Sequence, residues 1–423
     1  MSSVSARPVR KRHVFYIPGY DPIHPRRYRE LYRSEGAAQA AISGYDLALS
    51  ARKGVTGRYG WQVAAQIDGQ NVQADFDVLV WSDIVRDSMA QGIAGTYLQL
   101  IRTAWRYIAS GALARLMRLR KGPVIAALYP VGMLLGQLAL ALVLGHLAGL
   151  GLSWFARFLP LGQESKAAAP VLVGTMLYAP GLIVTALVLL RWFKARDNKF
   201  FAYYLMHDYA YSAQSNGAIP PELEARMAEF TAEIAEALTQ GSDEVLVVGH
   251  SSGAHLGVSI LADLIRQGRV PANGPALSFL TLGQVVPMVS FLPEAHRLRG
   301  DLQYLCQRDE ITWIDVTAPG DGCAFALCDP VAVSGVVPET GKRWPLVISA
   351  AFSLTLSPEK WRRLKRRYFR LHFQYLCAFD RPADYDYFQI TAGPQTLGAR
   401  YAGRAPSPSR IEAAVSKYTG TAP

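Results

Sequence analysis

The sequence predicts an α/β protein with a mostly parallel sheet and helices on both of its faces, plus a two-helix transmembrane hairpin inserted in the chain. Strand-like and helix-like patterns alternate outside the centre of the chain, which is typical of parallel sheets. Two central stretches are long, apolar and free of charge. The chain has 423 residues, of which 50% are apolar and 18% charged. It is therefore far too apolar for a disordered protein.

Charge and cysteine content narrow the function classes. Lys and Arg total 44 against 33 Asp and Glu, a formal net charge of +11. Such a balance suits either nucleic acid or anionic lipid. The sequence contains no base-reading module, phosphate-binding glycine loop, dinucleotide fingerprint or metal-ligand spacing, so we expect no nucleic acid, no cofactor and no metal. Four cysteines do not make a disulfide framework and suit a reducing compartment.

The uncharged stretches run over Gly122–Ala156 and Ala167–Leu190, joined by the short link Arg157–Lys166. About 20 apolar residues in a helix span a bilayer. The first stretch, about 35 residues long, would reach roughly 50 Å as a helix, longer than a small domain is wide. The pair is therefore predicted to be a transmembrane hairpin. The spacing of Gly132 and Gly136 would let its helices approach closely.

Basic residues flank the hairpin on both sides. They are Arg102, Arg106, Arg115, Arg118, Arg120 and Lys121 before it, and Arg191, Lys194, Arg196 and Lys199 after it. The only basic residues of the link are Arg157 and Lys166. The positive-inside rule then predicts a two-pass protein of the inner (cytoplasmic) membrane, with both termini and the soluble part in the cytoplasm. The Ala- and Arg-rich composition suggests a bacterial source.

The remaining elements follow from periodicity and turn signals. Before the hairpin we expect a strand at His13–Pro18, helical spacing over Arg27–Lys53, strands at Trp61–Ile67 and Phe76–Trp81 joined at Asp68-Gly69, and one long amphipathic helix over Asp83–Lys121. After it we expect helices at Pro220–Thr239, Ser252–Gln267 and Leu298–Arg308, and strands at Glu244–Val248, Leu277–Leu282 and Ile311–Val316. The predicted organisation is a basic tail (1–12), the first part of the sheet domain with its lead-in helix (13–121), the hairpin (122–190), the second part of the sheet domain (191–400) and a loose C-terminal tail (401–423).

One segment indicates chemistry: a glycine-x-serine-x-glycine pattern formed by Gly249, Ser251 and Gly253. An apolar strand precedes it and a helix of small residues follows. A serine at such a turn takes a strained backbone, and the glycines remove side chains that would clash with it. The expected result is a hydroxyl that stands clear of the sheet beside the positive end of a helix.

This segment resembles the nucleophile turn of the α/β-hydrolase family, in particular its lipase and esterase branches, and the resemblance covers roughly residues 13–83 and 220–380. In that family the nucleophile precedes the acid, and the acid precedes the histidine. The resemblance implies Ser251 as nucleophile and His372, the only histidine downstream of the acidic strand, as base. Asp321 is the favoured acid because a loop carboxylate past the strand end can turn toward the site. Asp315, within the strand, and the later Asp329 remain alternatives.

The resemblance also implies an oxyanion hole, which needs two backbone N–H donors. One is Ser252, directly after the nucleophile. The other is Tyr20, in the loop after the first strand, where Gly19 allows the turn. An apolar loop with Val285, Met288 and Phe291 follows a strand end and could line an acyl pocket.

The resulting expectation is a membrane-anchored serine hydrolase that cleaves carboxylic esters, lipid or acyl esters in particular, with the bilayer as its partner. Two alternatives remain open on the sequence. One is an acyltransferase that uses the same acyl-enzyme; the other is a non-catalytic membrane scaffold that retains the fold.

Overall fold

The computed structural model describes residues 8–52, 58–158 and 168–422. The chain divides into two compact units. The sheet unit comprises Met1–Asp87, Arg106–Val124 and Ser212–Pro423, and the helical unit comprises Ser88–Trp105 and Ile125–Tyr211. The helical unit therefore includes segments on both sides of the 122–190 range.

The described part of the sheet unit contains a single eight-stranded sheet. Its strands are β1 (Lys11–Ile17), β2 (Asp46–Ala51), β3 (Tyr59–Ile67), β4 (Gln70–Val78), β5 (Glu244–His250), β6 (Ala276–Leu282), β7 (Ile311–Thr317) and β8 (Leu346–Ser349). The order across the sheet is β2-β3-β4-β1-β5-β6-β7-β8. Pairing is parallel from β4 through β8 and antiparallel between β2 and β3 and between β3 and β4. A mixed α/β protein with a mostly parallel sheet is thereby confirmed.

Helices connect the strands and form the helical unit. They are α1 (Arg26–Ser43), α2 (Ser82–Met89), α3 (Ile93–Ala109), α4 (Ala112–Leu119), α5 (Lys121–Phe155), α6 (Ala168–Ala195), α7 (Asp197–Phe200), α8 (Ala202–Ala213), α9 (Pro221–Ala237), α10 (Gly253–Arg266), α11 (Pro287–Ser290), α12 (His296–Leu305), α13 (Pro330–Val333), α14 (Phe352–Thr355), α15 (Pro358–Leu364), α16 (Tyr368–His372), α17 (Tyr387–Ala392) and α18 (Leu397–Arg400).

The strands differ in their pattern of buried residues, and this explains why some are apolar throughout and others alternate between apolar and polar residues. Every residue of β5, at the centre of the parallel part, is buried, as expected for a strand covered on both faces. Strand β3, second from the edge of the sheet, instead alternates between buried and more exposed positions over most of its length. The predicted turn at Asp68-Gly69 joins β3 to β4, and both residues have positive φ (51° and 70°), as a tight hairpin requires.

Two helix predictions were wrong in extent. Helical spacing was predicted over Arg27–Lys53, but α1 ends at Ser43 because Gly44 takes a left-handed conformation (φ 72°), and β2 follows. The single long helix predicted over Asp83–Lys121 is three helices, α2 to α4. Gly111, at φ 74°, redirects the chain between α3 and α4.

The two predicted tails also differ from expectation. Of the basic tail 1–12, residues 1–7 lie outside the described residues, whereas Lys11 and Arg12 already belong to β1. The C-terminal segment is not loose over its described part, because its backbone pairs with the sheet unit. Asp329 N donates to Ile411 O (2.9 Å) and Val415 N to Val333 O (3.1 Å). Its polar composition misled the prediction because backbone groups can pair whatever the side chains are.

The helical unit contains the two long apolar helices, α5 and α6. Both are long and apolar enough to cross a membrane. In their most apolar windows only 22% of the residues are buried for α5 and 17% for α6. Core helices of a water-soluble protein are mostly buried, and α5 and α6 differ from them in this respect.

Close approach of α5 and α6 occurs at glycines other than the predicted pair. A Cβ placed on Gly145 would lie 2.6 Å from Leu182 O, and one on Gly149 would lie 2.7 Å from Tyr178 O. The later of these two glycines in α5 contacts the earlier of the two residues in α6, so the two helices pack antiparallel. By contrast, a Cβ on Gly132 or Gly136 would meet no described atom within 4 Å. The prediction for Gly132 and Gly136 was therefore wrong. The sequence pattern alone does not distinguish a glycine pair in a helix contact from one outside it.

Candidate active site

Ser251 lies in the sharp bend between β5 and α10, with φ at +57°. A left-handed conformation at a residue with a Cβ costs about 1–2 kcal/mol, so the surrounding structure must hold it. The two flanking glycines make the bend possible. A Cβ on Gly253 would lie 2.1 Å from Ile17 O, and one on Gly249 would lie 2.6 Å from Gly253 O. The strand, bend and helix predicted around Ser251 are all present.

The loop after β1 packs directly on Ser251. A Cβ on Gly19 would lie 3.0 Å from Ser251 Cβ, so no larger residue fits there without displacement. Trp81 Nε1 donates to Pro18 O at 3.0 Å and fixes the start of the loop. Asp21 fixes its end by accepting from Ile23 N at 2.9 Å and from the Tyr28 hydroxyl. These bonds hold the Tyr20 segment beside the serine.

Ser252 and Tyr20, the two predicted oxyanion donors, belong to the two segments that meet at Ser251. Ser252 directly precedes α10, so its N–H belongs to the helix end, where backbone donors have no acceptor within the helix. Tyr20 is buried, and its ring meets Trp81 edge-on with centroids 6.1 Å apart. The helix N-terminus also favours negative charge nearby. The arrangement suits stabilisation of the oxyanion that forms when a serine hydroxyl at this position attacks a carbonyl carbon.

His372 and Asp321 form a hydrogen-bonded pair. His372 ends α16, and Asp321 lies in the loop after β7. His372 Nδ1 lies 2.7 Å from Asp321 Oδ2, and both side chains are buried. Burial by itself raises the pKa of Asp321, but the adjacent His372 and the donors around the carboxylate outweigh it and leave that pKa below its usual value. The carboxylate is therefore charged and accepts the Nδ1 proton, which leaves Nε2 free to take a proton.

A second set of hydrogen bonds orients the carboxylate. Cys323 N donates to Asp321 Oδ1 at 2.8 Å, and the Tyr375 hydroxyl donates to Oδ2 at 3.0 Å. The Tyr375 hydroxyl in turn accepts from Ala318 N at 3.0 Å. Sequence reasoning missed Tyr375. Its position three residues after His372 was the available signal, but nothing local shows that its hydroxyl reaches the acid loop.

The His372 ring is packed between His250 and Gly283. The His250 and His372 ring centroids are 4.8 Å apart, and His250 Nε2 lies 3.0 Å from His372 O. Burial lowers the pKa of His250 to about 3, so its neutral ring donates the Nε2 proton to that carbonyl. A Cβ on Gly283 would lie 3.0 Å from His372 Cε1.

The segment Leu282-Gly283 contacts both His372 and Ser251. Ser251 N donates to Leu282 O at 2.9 Å, and Leu282 directly precedes Gly283. Across the described residues, the Ser251 hydroxyl makes no hydrogen bond to His372 within 3.5 Å. Such a bond commonly tightens only when substrate binds. The structure thus brings all three predicted residues to one site, with His372 and Asp321 paired and Ser251 bonded to the segment that packs on the His372 ring.

Comparison with known protein families, with curated proteins and with solved structures found no match. The assignment of the site therefore depends on the residues themselves.

The two alternative acids lie in other surroundings. Asp329 caps α13 by accepting from Val331 N and Ala332 N, both at 3.0 Å, and it pairs with Lys342. Asp315 is fully buried in β7, where Thr281 Oγ1 donates to its Oδ1 at 2.6 Å. Neither carboxylate contacts His372, which favours Asp321 as the acid.

Asp315 gives a testable pH dependence of stability. Burial raises its pKa to about 8, whereas an unfolded aspartate titrates near pH 4. Between these values the unfolded state has lost the proton and the folded state has kept it, so rising pH favours unfolding. We expect Asp315→Asn to remove this loss. Wild type should lose about 2–3 kcal/mol of unfolding free energy between about pH 5 and about pH 7, and the variant should not show this loss.

The measurement is denaturant unfolding of both proteins in uncharged detergent at the two pH values. Asp46→Asn, at an exposed position on the edge strand β2, serves as the control and should follow wild type. An equal difference between Asp315→Asn and wild type at both pH values would contradict the expectation.

Three residues of the site could also be considered as metal ligands. Each of these residues offers one candidate ligand atom, and the three atoms lie within 4.8 Å of one another: Asp321, Cys323 and His372. Nitrogen and oxygen ligands of a tetrahedral zinc ion lie about 2.0–2.1 Å from the metal, and hence roughly 3.3 Å apart. The 2.7 Å between His372 Nδ1 and Asp321 Oδ2 is shorter and matches a charge-assisted hydrogen bond. The contact between these two atoms is therefore a hydrogen bond.

The predicted acyl-pocket residues lie in and around α11. Val285 is half-buried, while Met288 and Phe291 are 7% and 1% exposed. Tyr107 donates its hydroxyl to Met288 O at 2.9 Å, and Gln284 Oε1 accepts from Val286 N at 2.9 Å. The segment is firmly held in the sheet unit, and its role in acyl binding stays a prediction.

Proposed function

We propose that the protein is a membrane-anchored serine hydrolase of the α/β-hydrolase type that cleaves carboxylic esters through Ser251, His372 and Asp321. The observation that supports this most is the 2.7 Å His372–Asp321 hydrogen bond beside a serine held at φ +57°. A buried carboxylate that fixes the tautomer of a histidine next to a strained serine is the arrangement that nucleophilic catalysis requires. The chain order of serine, aspartate and histidine matches that family.

The reaction follows from these positions. Ser251 Oγ attacks the ester carbonyl carbon while His372 Nε2 takes its proton. The carbonyl oxygen becomes an oxyanion that the N–H groups of Ser252 and Tyr20 stabilise. Its collapse breaks the ester C–O bond, and His372 returns the proton to the departing alcohol. Water then repeats the sequence on the acyl-serine and releases the carboxylic acid, with Asp321 stabilising the imidazolium each time.

Membrane anchoring is the second part of the proposal. It is supported by the apolar, mostly exposed surfaces of α5 and α6. The basic flanks of the two helices support a position of the sheet unit on the cytoplasmic side of the inner membrane. An esterase anchored there meets lipid and acyl esters at the bilayer surface, and these are the proposed substrates.

Covalent labelling tests the function directly. We expect a fluorophosphonate probe to modify wild-type protein at Ser251, because the probe reacts only with a serine activated by a base. Peptide mass spectrometry of the full chain in detergent locates the label. Ser251→Ala should stay unlabelled, and His372→Ala should label far more slowly. A folded wild-type protein that takes no label would favour the scaffold alternative instead.

A further inference from the structure

A densely basic segment lies beside the active site. This basic segment, Arg362–Arg370, carries six exposed cations: Arg362, Arg363, Lys365, Arg366, Arg367 and Arg370. Among the described residues only Arg362 has a carboxylate partner, Glu359 at 3.2 Å. Five neighbouring cations without a carboxylate partner repel one another, and an anionic surface would relieve that repulsion.

Aromatic residues connect the basic segment to the loop that carries the catalytic acid. A Cβ on Gly320 would lie 2.5 Å from the Trp361 ring, and one on Gly322 would lie 2.9 Å from the Tyr368 ring. These two glycines flank Asp321. Tyr368 also begins α16, the helix that ends at His372, and is 55% exposed. Tyrosine in such a position suits a membrane–water interface, where one end of the ring is apolar and the other wet.

The start of the long apolar helix α5 touches the same loop. A Cβ on Gly122, in the first turn of α5, would lie 3.5 Å from Gly322 Cα. Arg120, just before α5, donates two hydrogen bonds to Ala326 O at 2.9 Å and 2.6 Å. If α5 spans the bilayer, the chain enters the membrane next to the acid loop. The basic segment then lies at the headgroup level.

We propose that the basic segment binds the anionic headgroups of the bilayer and thereby holds the active site on an anionic lipid surface. This inference depends on the membrane anchoring proposed above and adds the lipid class that the enzyme meets. Basic charge suits lipid and nucleic acid alike, and proximity to the start of the apolar helix α5 favours the lipid surface. Each exposed Lys or Arg near such a surface strengthens binding roughly five-fold.

Hydrogen exchange on the full chain in nanodiscs tests the proposal. One set of discs contains phosphatidylcholine alone, and the other contains phosphatidylcholine mixed with phosphatidylglycerol. We expect the amides of residues 358–371 to exchange several-fold more slowly in the anionic discs. Arg363→Gln combined with Arg366→Gln removes two cations and should weaken docking by about 25-fold, which abolishes most of this protection.

A matched control carries the same change in net charge elsewhere. Arg33 and Arg269 are exposed and lie outside the basic segment, and Arg33→Gln with Arg269→Gln should keep the wild-type response. Equal exchange of wild type in both discs would overturn the proposal, as would loss of protection in the control. Slower exchange with single-stranded RNA but not with phosphatidylglycerol would assign the surface to nucleic acid. Failure to enter nanodiscs would overturn the anchor and the docking together.

The readout does not depend on catalysis. Lipid-dependent protection in a protein that takes no fluorophosphonate would remove the hydrolase and keep the docking surface. Labelling of Ser251 without lipid-dependent protection would keep the hydrolase and remove the docking surface.

Discussion

Replacing Ser251 by alanine is expected to lower kcat for ester hydrolysis by about a million-fold, and His372→Ala should do nearly the same. Each variant removes the proton transfer and nucleophilic attack as one event, because the serine is unreactive without the base and the base has nothing to activate without the serine. The double variant should therefore be no slower than either single one. Initial rates with a chromogenic ester, on protein in detergent, give the three values.

Folding must be shown to be intact for this comparison. Thermal unfolding of each variant supplies that check, and Ser34→Ala serves as the matched serine control. Ser34 is exposed on α1, so its loss should leave the rate unchanged. Additive losses, in which the double variant falls below both single ones by the product of their effects, would mean that Ser251 and His372 do not act together.

The bend around Ser251 could be predicted because all its determinants are local. The buried strand before it, the two glycines and the helix of small residues after it lie in one short segment. The steric reason for the glycines is visible only in the fold, since the atom that excludes a side chain at Gly253 is Ile17 O from a distant strand. The pattern therefore predicts the conformation, and the fold explains it.

The partners of the acid could not be predicted in the same way. Tyr375 reaches Asp321 only because the chain after β8 folds back over the end of β7. The edge strand β2 was missed for a related reason. Its sequence is short and mostly exposed, and its strand state comes from pairing with β3 rather than from its own periodicity. Pairing between distant segments leaves little trace in a single sequence.

The choice among three aspartates shows where geometry adds to chain order. Asp315, Asp321 and Asp329 all follow Ser251 and precede His372, so order alone permits each of them. The position of Asp321 in a loop beyond the strand end suits the role of acid only if the loop turns toward the histidine. The hydrogen bonds from Cys323 N and the Tyr375 hydroxyl show how that turn is held.

Asp321→Asn is therefore expected to lower kcat by about ten-thousand-fold, while Asp315→Asn changes it little. An amide in place of the Asp321 carboxylate no longer demands the Nδ1 proton, so His372 can present the wrong tautomer to Ser251, and the imidazolium that forms during attack loses its counter-charge. Asp315 accepts a hydrogen bond from Thr281 and does not touch His372, so the matched substitution there alters stability rather than chemistry. Rates of both variants are measured with the same chromogenic ester. A large loss in Asp315→Asn with near-normal rates in Asp321→Asn would show that the acid lies within β7 and that the 2.7 Å contact is structural.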